Sequence, residues 1–179
     1  MPRRSISAAK RPAPQRRSSR RSEAFGLIGS KGEADYTTSV AAQTQAARVV
    51  NVAGKTTLSE VIALIKHATL MITNDTGPMH LAFSTGVPVV CLFGPCAPEQ
   101  YGMSAQAHVL YKKVYCSPCV HEFEAPPCKG NNVCMQMITP DEVFEKAKAL
   151  IEHPGKGSSG SAPEVIYKVD KNALGLVLR

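Results

Sequence analysis

The residues best suited to chemistry fall between Leu70 and Gly94, in the run LMITNDTGPMHLAFSTGVPVVCLFG. An apolar strand ends in Asn74, Asp75, Thr76 and Gly77, and Pro78 then opens a helix. The unpaired N–H groups of Thr76, Gly77 and Met79 would sit at the positive end of that helix, a place suited to the phosphates of a nucleotide. Pro78 donates nothing but pre-sets φ, and Gly77 lets a ligand approach the backbone. A carboxylate beside a diphosphate is repulsive, so Asp75 needs other partners, and sugar hydroxyls are the obvious ones. His80, at the third position past Gly77, is placed to donate an N–H to a phosphate oxygen. The plainer reading has Asp75 capping the helix and His80 packing on the sheet; the Gly-Pro turn between them favours the anion site. A second phosphate motif, Gly54-Lys55-Thr56, is not a P-loop, because the glycine required five residues before Gly54 is replaced by Val49.

Cysteines supply the other constellation. Cys116, Cys119, Cys128 and Cys134 follow the spacing C-x2-C-x8-C-x5-C in a loop rich in Pro, Lys and Asn. Four thiolates in a coreless loop suit a structural Zn²⁺, with His121 as a substitute ligand, although the second pair is wider than in a zinc ribbon. An iron-sulfur cluster, disulfides and four reduced thiols are the other readings. Cys91, in a strand, and Cys96, in the following turn, read as packing residues.

The elements that must hold these residues alternate between strands and helices. Ala24 to Gly29 reads as a short buried strand, Ser30 to Gly32 as a turn, Glu33 to Ala47 as a helix and Arg48 to Val52 as a second strand. Thr57 and Glu60 form a capping box before a helix whose Leu58, Val61, Ile62 and Ile65 share one face. Leu70 to Thr73, Val87 to Phe93 and His108 to Tyr111 are further strands, with a helix from Pro78 to Thr85 closed by Gly86. Thr139, Pro140 and Glu142 start a last helix lined by Val143, Phe144, Ala147, Leu150 and Ile151. Strands rich in Val, Ile and Leu between capped helices predict an α/β fold, a Rossmann-like parallel sheet with helices on both faces. In an open sheet of this kind, ligands bind at the C-terminal ends of the strands, where Asp75 to His80 lie.

The 179-residue chain is long enough for one α/β domain, and 44% apolar with 20% charged residues is a globular composition. No apolar stretch approaches the ~20 residues of a membrane helix. The formal charge of +7 resides in residues 1–22, which carry eight Arg or Lys and no acid, so the remainder has a net charge of −1. Residues 1–23 therefore read as a disordered Arg/Ser-rich tail, 24–152 as the folded domain with its Cys-rich loop at 116–134, and 153–179 as a flexible linker and C-terminal arm. The tail lacks the apolar region of a secretory signal and the amphipathic face of a transit peptide. With a near-neutral domain and no basic-aromatic groove, nucleic acid is not an expected partner.

Several blocks, in order, resemble the C-terminal domain of glycosyltransferase family 9, the ADP-heptose:lipopolysaccharide heptosyltransferases. They are Gly54-Lys55-Thr56-Thr57-Leu58, the turn from Asn74 to His80, Gly86-Val87-Pro88-Val89-Val90 running to Leu92-Phe93-Gly94-Pro95, the cysteine run from Cys116, and Ile138-Thr139-Pro140-Asp141-Glu142-Val143. The likeness covers roughly Phe25 to Ile151. It implies the C-terminal, donor-binding half of a GT-B enzyme that transfers heptose from a nucleotide sugar to a lipid-linked saccharide with inversion and without a catalytic metal or cofactor. It further implies that Asp75 binds sugar hydroxyls, that Thr76, Gly77, Pro78, Met79 and His80 bind the diphosphate, that Glu33 contacts ribose and that the backbone near Thr56 borders adenine. The family's N-terminal domain, which carries the acceptor site and general base, has no counterpart in these blocks, so a separate N-terminal domain is an expected partner and no residue here is assigned as base. A cytoplasmic enzyme, peripheral at the inner membrane, is the expected setting. The alternatives are a non-catalytic nucleotide-binding module and a metal-stapled nucleic-acid binder acting through the basic tail.

Overall fold

The computed structural model describes residues 24–44, 48–101, 107–120 and 122–153, together with the backbone of 165–167. The tail predicted over 1–23 and most of the arm predicted over 153–179 lie outside the described residues. Where the sequence reading has one domain over 24–152, contacts group the chain into two compact units divided between Lys55 and Thr56.

In the first unit, β1 (Ala24–Leu27) pairs in parallel with β2 (Arg48–Asn51), with Phe25 opposite Val49. A 3-10 turn at Lys31–Glu33 leads into α1 (Ala34–Ala42), shorter than the predicted Glu33 to Ala47. Thr37, Thr38 and Ser39 turn their hydroxyls back onto carbonyls of the preceding turn, and such bonds compete with the helical ladder. β1, predicted as buried, is largely open: α1 packs on β2, and Phe25 is 54% exposed. The unit closes where the Gly54 N–H donates to the Gly29 carbonyl at 3.0 Å. Gly54 has φ +69°, and a Cβ there would lie 2.8 Å from the Lys31 Cα, so glycine alone fits.

The second unit is built on a parallel sheet in the order β3-β4-β5-β6, comprising Met71–Asn74, Val89–Phe93, Ala107–Tyr111 and Val165–Tyr167. The last of these falls within the stretch read as a C-terminal arm and pairs with β5. β4 begins two residues later than predicted, since Pro88 has no N–H to give the ladder. Its residues alternate between two buried faces. Val90 joins Leu110, Ala147 and Leu150 in one core, with Leu92 and Val143 packed against it. Val89, Cys91 and Phe93 point the other way, toward α3 (Gly77–Thr85), so helices cover both faces of the central strand. Unbroken burial of a Val-rich strand is what a parallel sheet demands.

The predicted caps form. Ahead of α2 (Leu58–His67), the Thr57 N–H and hydroxyl both donate to Glu60 Oε2 at 2.8 Å, and the Glu60 N–H returns to Thr57 Oγ1. Thr139 and Glu142 repeat the arrangement ahead of α5 (Pro140–Glu152), which follows the one-turn α4 (Val133–Gln136). The buried stripe of α5 is narrower than predicted: Ala147 and Leu150 are buried, while Phe144 and Ile151 stand 63% and 52% exposed. Leu58 on α2 is likewise exposed, and Ile65 carries that helix's burial. An ion pair absent from the sequence reading joins the nearly buried Lys112 to Glu142 at 2.5 Å. Among the described residues no helix is long and apolar enough to cross a membrane.

Candidate functional site

β3 delivers Asn74 to the C-terminal edge of the sheet, and the next residues turn sharply into α3. Thr76 is the N-cap, with φ −145° and ψ 171°, but its side chain does not cap; its hydroxyl donates to the Asn74 carbonyl at 3.4 Å. Asp75 is therefore not the capping residue of the plainer reading. The backbone N–H groups of Thr76 and Gly77 have no intramolecular acceptor among the described residues. The Met79 N–H, expected free, donates to the Thr76 carbonyl at 2.9 Å, which tightens the first turn. Met79 and Ala82 are fully buried and seat α3 against the sheet, so Met79 belongs to the core with its side chain. A Cβ built on Gly77 meets nothing within 4 Å.

Asp75 and His80 have neighbours that the sequence reading did not supply. His80 is exposed, and its ring lies 6.1 Å from both Phe83, edge-on, and Tyr101, tilted. Tyr101 in turn lies 6.1 Å from Phe93 at the end of β4. Cys96 lies in the turn after β4, and Asp75 and Tyr101 both act on its thiol. Burial pushes the Cys96 thiol up, and its bond to the Asp75 carboxylate raises it further. Tyr101 rises to about 12, first through its hydrogen bond with Cys96, and Cys91 rises to about 12 through burial and then the charge of Asp75. At neutral pH Cys91, Cys96 and Tyr101 keep their protons. The strand register brings the two turns together: Asn74 pairs with Leu92, so Asp75 leaves β3 level with Phe93, the last residue of β4.

The other two proposed contacts are placed differently. Glu33 belongs to the first unit, where its Oε2 accepts from both the N–H and the hydroxyl of Ser30 at 2.7 Å, holding its carboxyl below the usual range. Thr56 is half-buried, one residue before the N-cap of α2.

The cysteine run packs directly behind the Gly94 to Cys96 turn. The Cys119 and Val120 N–H groups both donate to the Pro95 carbonyl, at 2.8 and 3.2 Å. Ser117 Oγ donates to the Gly94 carbonyl at 2.6 Å and is itself paired with the Tyr111 hydroxyl. Gly94 lies against Met135 and Cys134, where any Cβ would clash. Cys116 packs with Cys134, Val114, Met135 and Met137. All six cysteines are free thiols. Burial pushes Cys116 and Cys134 up, and the neighbouring thiols add to the rise. Cys128 goes down: burial works against it, but the N–H groups of Asn132, Gly130 and Val133 aimed at its sulfur prevail. Among the described residues, no three His, Cys, Asp or Glu side chains form a group that could hold a metal ion, and His121 lies outside them.

With this geometry in place, comparison with known proteins is decisive. The family model of glycosyltransferase family 9 (heptosyltransferase) matches residues 21–129, more than half of the chain. The chain belongs to this family. Among curated family-9 relatives, lipooligosaccharide heptosyltransferase 2 of Campylobacter jejuni is 33% identical over 59% of this chain and 33% of its own length. Lipopolysaccharide heptosyltransferase 2 of Escherichia coli K12 is 32% identical over 56% of this chain and 28% of its own. Two solved structures superpose at TM-score 0.59: the E. coli ADP-heptose lps heptosyltransferase II, 27% identical, and a family 9 glycosyl transferase from Veillonella parvula, 28% identical. Each alignment covers 71% of this chain and 36% of the neighbour. The family-9 chain thus spans about a third of the length of the curated relatives it matches.

Proposed function

We propose that this chain is the part of a heptosyltransferase-like enzyme that binds the sugar nucleotide, and that the turn from Asp75 to His80 is where it does so. The observation that carries the reading is the uncapped start of α3. Two backbone N–H groups, on Thr76 and Gly77, have no acceptor among the described residues at the end of a strand, and the half-buried carboxylate of Asp75 is next to them in the chain. Backbone donors at a helix N-terminus suit a diphosphate, and an ionised carboxylate suits sugar hydroxyls. The printed description of the E. coli neighbour as an ADP-heptose enzyme makes ADP-heptose the donor to try first. Inverting transfer to a lipid-linked saccharide, on the cytoplasmic side, belongs to the same reading and requires an acceptor-binding domain and a general base in addition to these residues.

The test is calorimetry with ADP on the wild type and on Gly77→Asp. An added Cβ at Gly77 meets nothing, so the variant folds, while its carboxylate obstructs and repels the diphosphate. The wild type binds ADP and the variant loses that binding; equal affinity in the two proteins overturns the site.

A further inference from the structure

His80 stands exposed on the first turn of α3, where a side chain ordinarily samples several rotamers. Here two rings flank it. Phe83, one turn on along the helix, meets the imidazole edge-on at 6.1 Å and 85°, and Tyr101 meets it from outside the helix at 6.1 Å and 46°. These separations are those of interacting aromatic pairs. Tyr101 is itself well seated. It ends a one-turn 3-10 helix, Pro98–Tyr101, anchored by the fully buried Pro98 and closed by the Gln100 N–H on the Ala97 carbonyl at 3.2 Å. Its ring leans at 6.1 Å on Phe93, fully buried at the end of β4. The turn between them is tied down from behind, where the Cys119 and Val120 N–H groups donate to the Pro95 carbonyl and the Ser117 hydroxyl to the Gly94 carbonyl. A row of rings, Phe93, Tyr101, His80 and Phe83, thus runs from the core of the sheet to the exposed imidazole.

We propose that Tyr101 is a positioning residue for His80: its ring, backed by Phe93, pins the imidazole against Phe83 in one orientation, with an N–H presented to the diphosphate bound at Thr76 and Gly77. This rests on the sugar-nucleotide reading of the turn. The imidazole rises from the same helical turn as the two free N–H groups, so the three donors serve one anion. A side chain already held in its bound rotamer spares the ligand the cost of ordering it, worth about a two- to tenfold gain in affinity. The Tyr101 ring acts through its packing, so aromatic surface is what the position requires and the phenol hydroxyl is not. The cysteine-rich loop enters as the support of the turn that leads to Tyr101.

The experiment is calorimetry with ADP on the wild type, Tyr101→Leu, Tyr101→Phe, His80→Ala and the double variant of His80→Ala with Tyr101→Leu, with thermal melts and NMR spectra of the imidazole protons run alongside. Tyr101→Leu is expected to weaken ADP binding about fivefold. It also moves the His80 ring-proton resonances, which are the ones that His80→Ala deletes. Tyr101→Phe keeps the ring and recovers most of the affinity. In the His80→Ala background, removing the Tyr101 ring costs nothing further, because no imidazole is left to hold. Phe83→Leu, which opens the other side of the imidazole, repeats the pattern and takes the place of Tyr101→Leu where that variant does not fold. Unchanged ADP affinity in Tyr101→Leu or in His80→Ala, a Phe variant no better than Leu, or an equal loss with and without His80 overturns the positioning role. Where Gly77→Asp abolishes ADP binding in the same series, any of these results leaves the nucleotide site standing. Absence of ADP binding in the wild type overturns the site and this inference together.

Discussion

Single side chains in this protein are tuned by what surrounds them, and the thiols show it most clearly. Cys91 sits in β4, fully buried beside Asp75, and is raised to about 12, whereas Cys128 lies in a loop whose N–H groups point at its sulfur and lower it. A lowered thiol carries more of the reactive thiolate at a given pH. In a time course with iodoacetamide at pH 7.5, read by peptide mass spectrometry, Cys128 is alkylated first and Cys91 last; the reverse order contradicts the assignment. At this scale the sequence reading was strongest where chemistry and backbone punctuation coincide. Asp75, Gly77, Pro78 and His80 announce themselves by type and spacing. Cys96 and Tyr101 do not, since nothing in a Gly-Pro-Cys turn indicates that a neighbouring strand will bring a carboxylate against it. The register sets the ends of β3 and β4 side by side, which no residue type in the turn reveals.

Helices and strands were legible wherever a local rule dictates them. The capping boxes at Thr57 and Thr139 form as their residue types require, because Thr and a Glu three residues on satisfy otherwise orphaned N–H groups. Removing the α2 cap with Thr57→Ala should cost about 1 kcal/mol at pH 7, read by urea unfolding. The bond from Thr57 holds the Glu60 carboxyl below its usual 4.5. A depressed carboxyl stabilises the fold fully above its unfolded value and loses that contribution as pH falls through the folded one, so the gap between wild type and Thr57→Ala narrows below pH 4.5. A gap constant down to pH 3 means that Glu60 takes no part in the cap. What misled the reading was burial. An apolar stripe on α5 says which residues can pack, but the sheet presents room for Ala147 and Leu150 and leaves Phe144 and Ile151 outside. In β1 the apolar composition suggested a buried strand, and a two-stranded sheet contacted by one short helix does not bury it.

Taken whole, the chain carries a family fold at about a third of the length of its curated relatives. If the proposed function holds, the chain binds sugar nucleotide alone and transfers nothing until an acceptor-binding domain is supplied. Co-expression with the N-terminal domain of a family 9 heptosyltransferase, assayed by transfer of radiolabelled heptose to a lipopolysaccharide acceptor, should restore activity above that of either part. Retained ADP binding without any transfer would instead favour a binding module that does no chemistry. The family was legible because five short blocks recur in one order, each tied to a physical need such as a cap, a turn or a buried strand. The division into two compact units was not, because strand and helix signals say what forms and not which hydrogen-bonded sheet each strand will join.

The chain contains no tryptophan and five tyrosines, and Tyr101 is set against His80 and Phe93. Its phenol therefore serves as a native optical gauge of the turn. With no indole to drown the signal, changes in tyrosine emission or near-ultraviolet dichroism on adding a ligand report the environment of this ring without any attached dye, and the Phe variant supplies the blank.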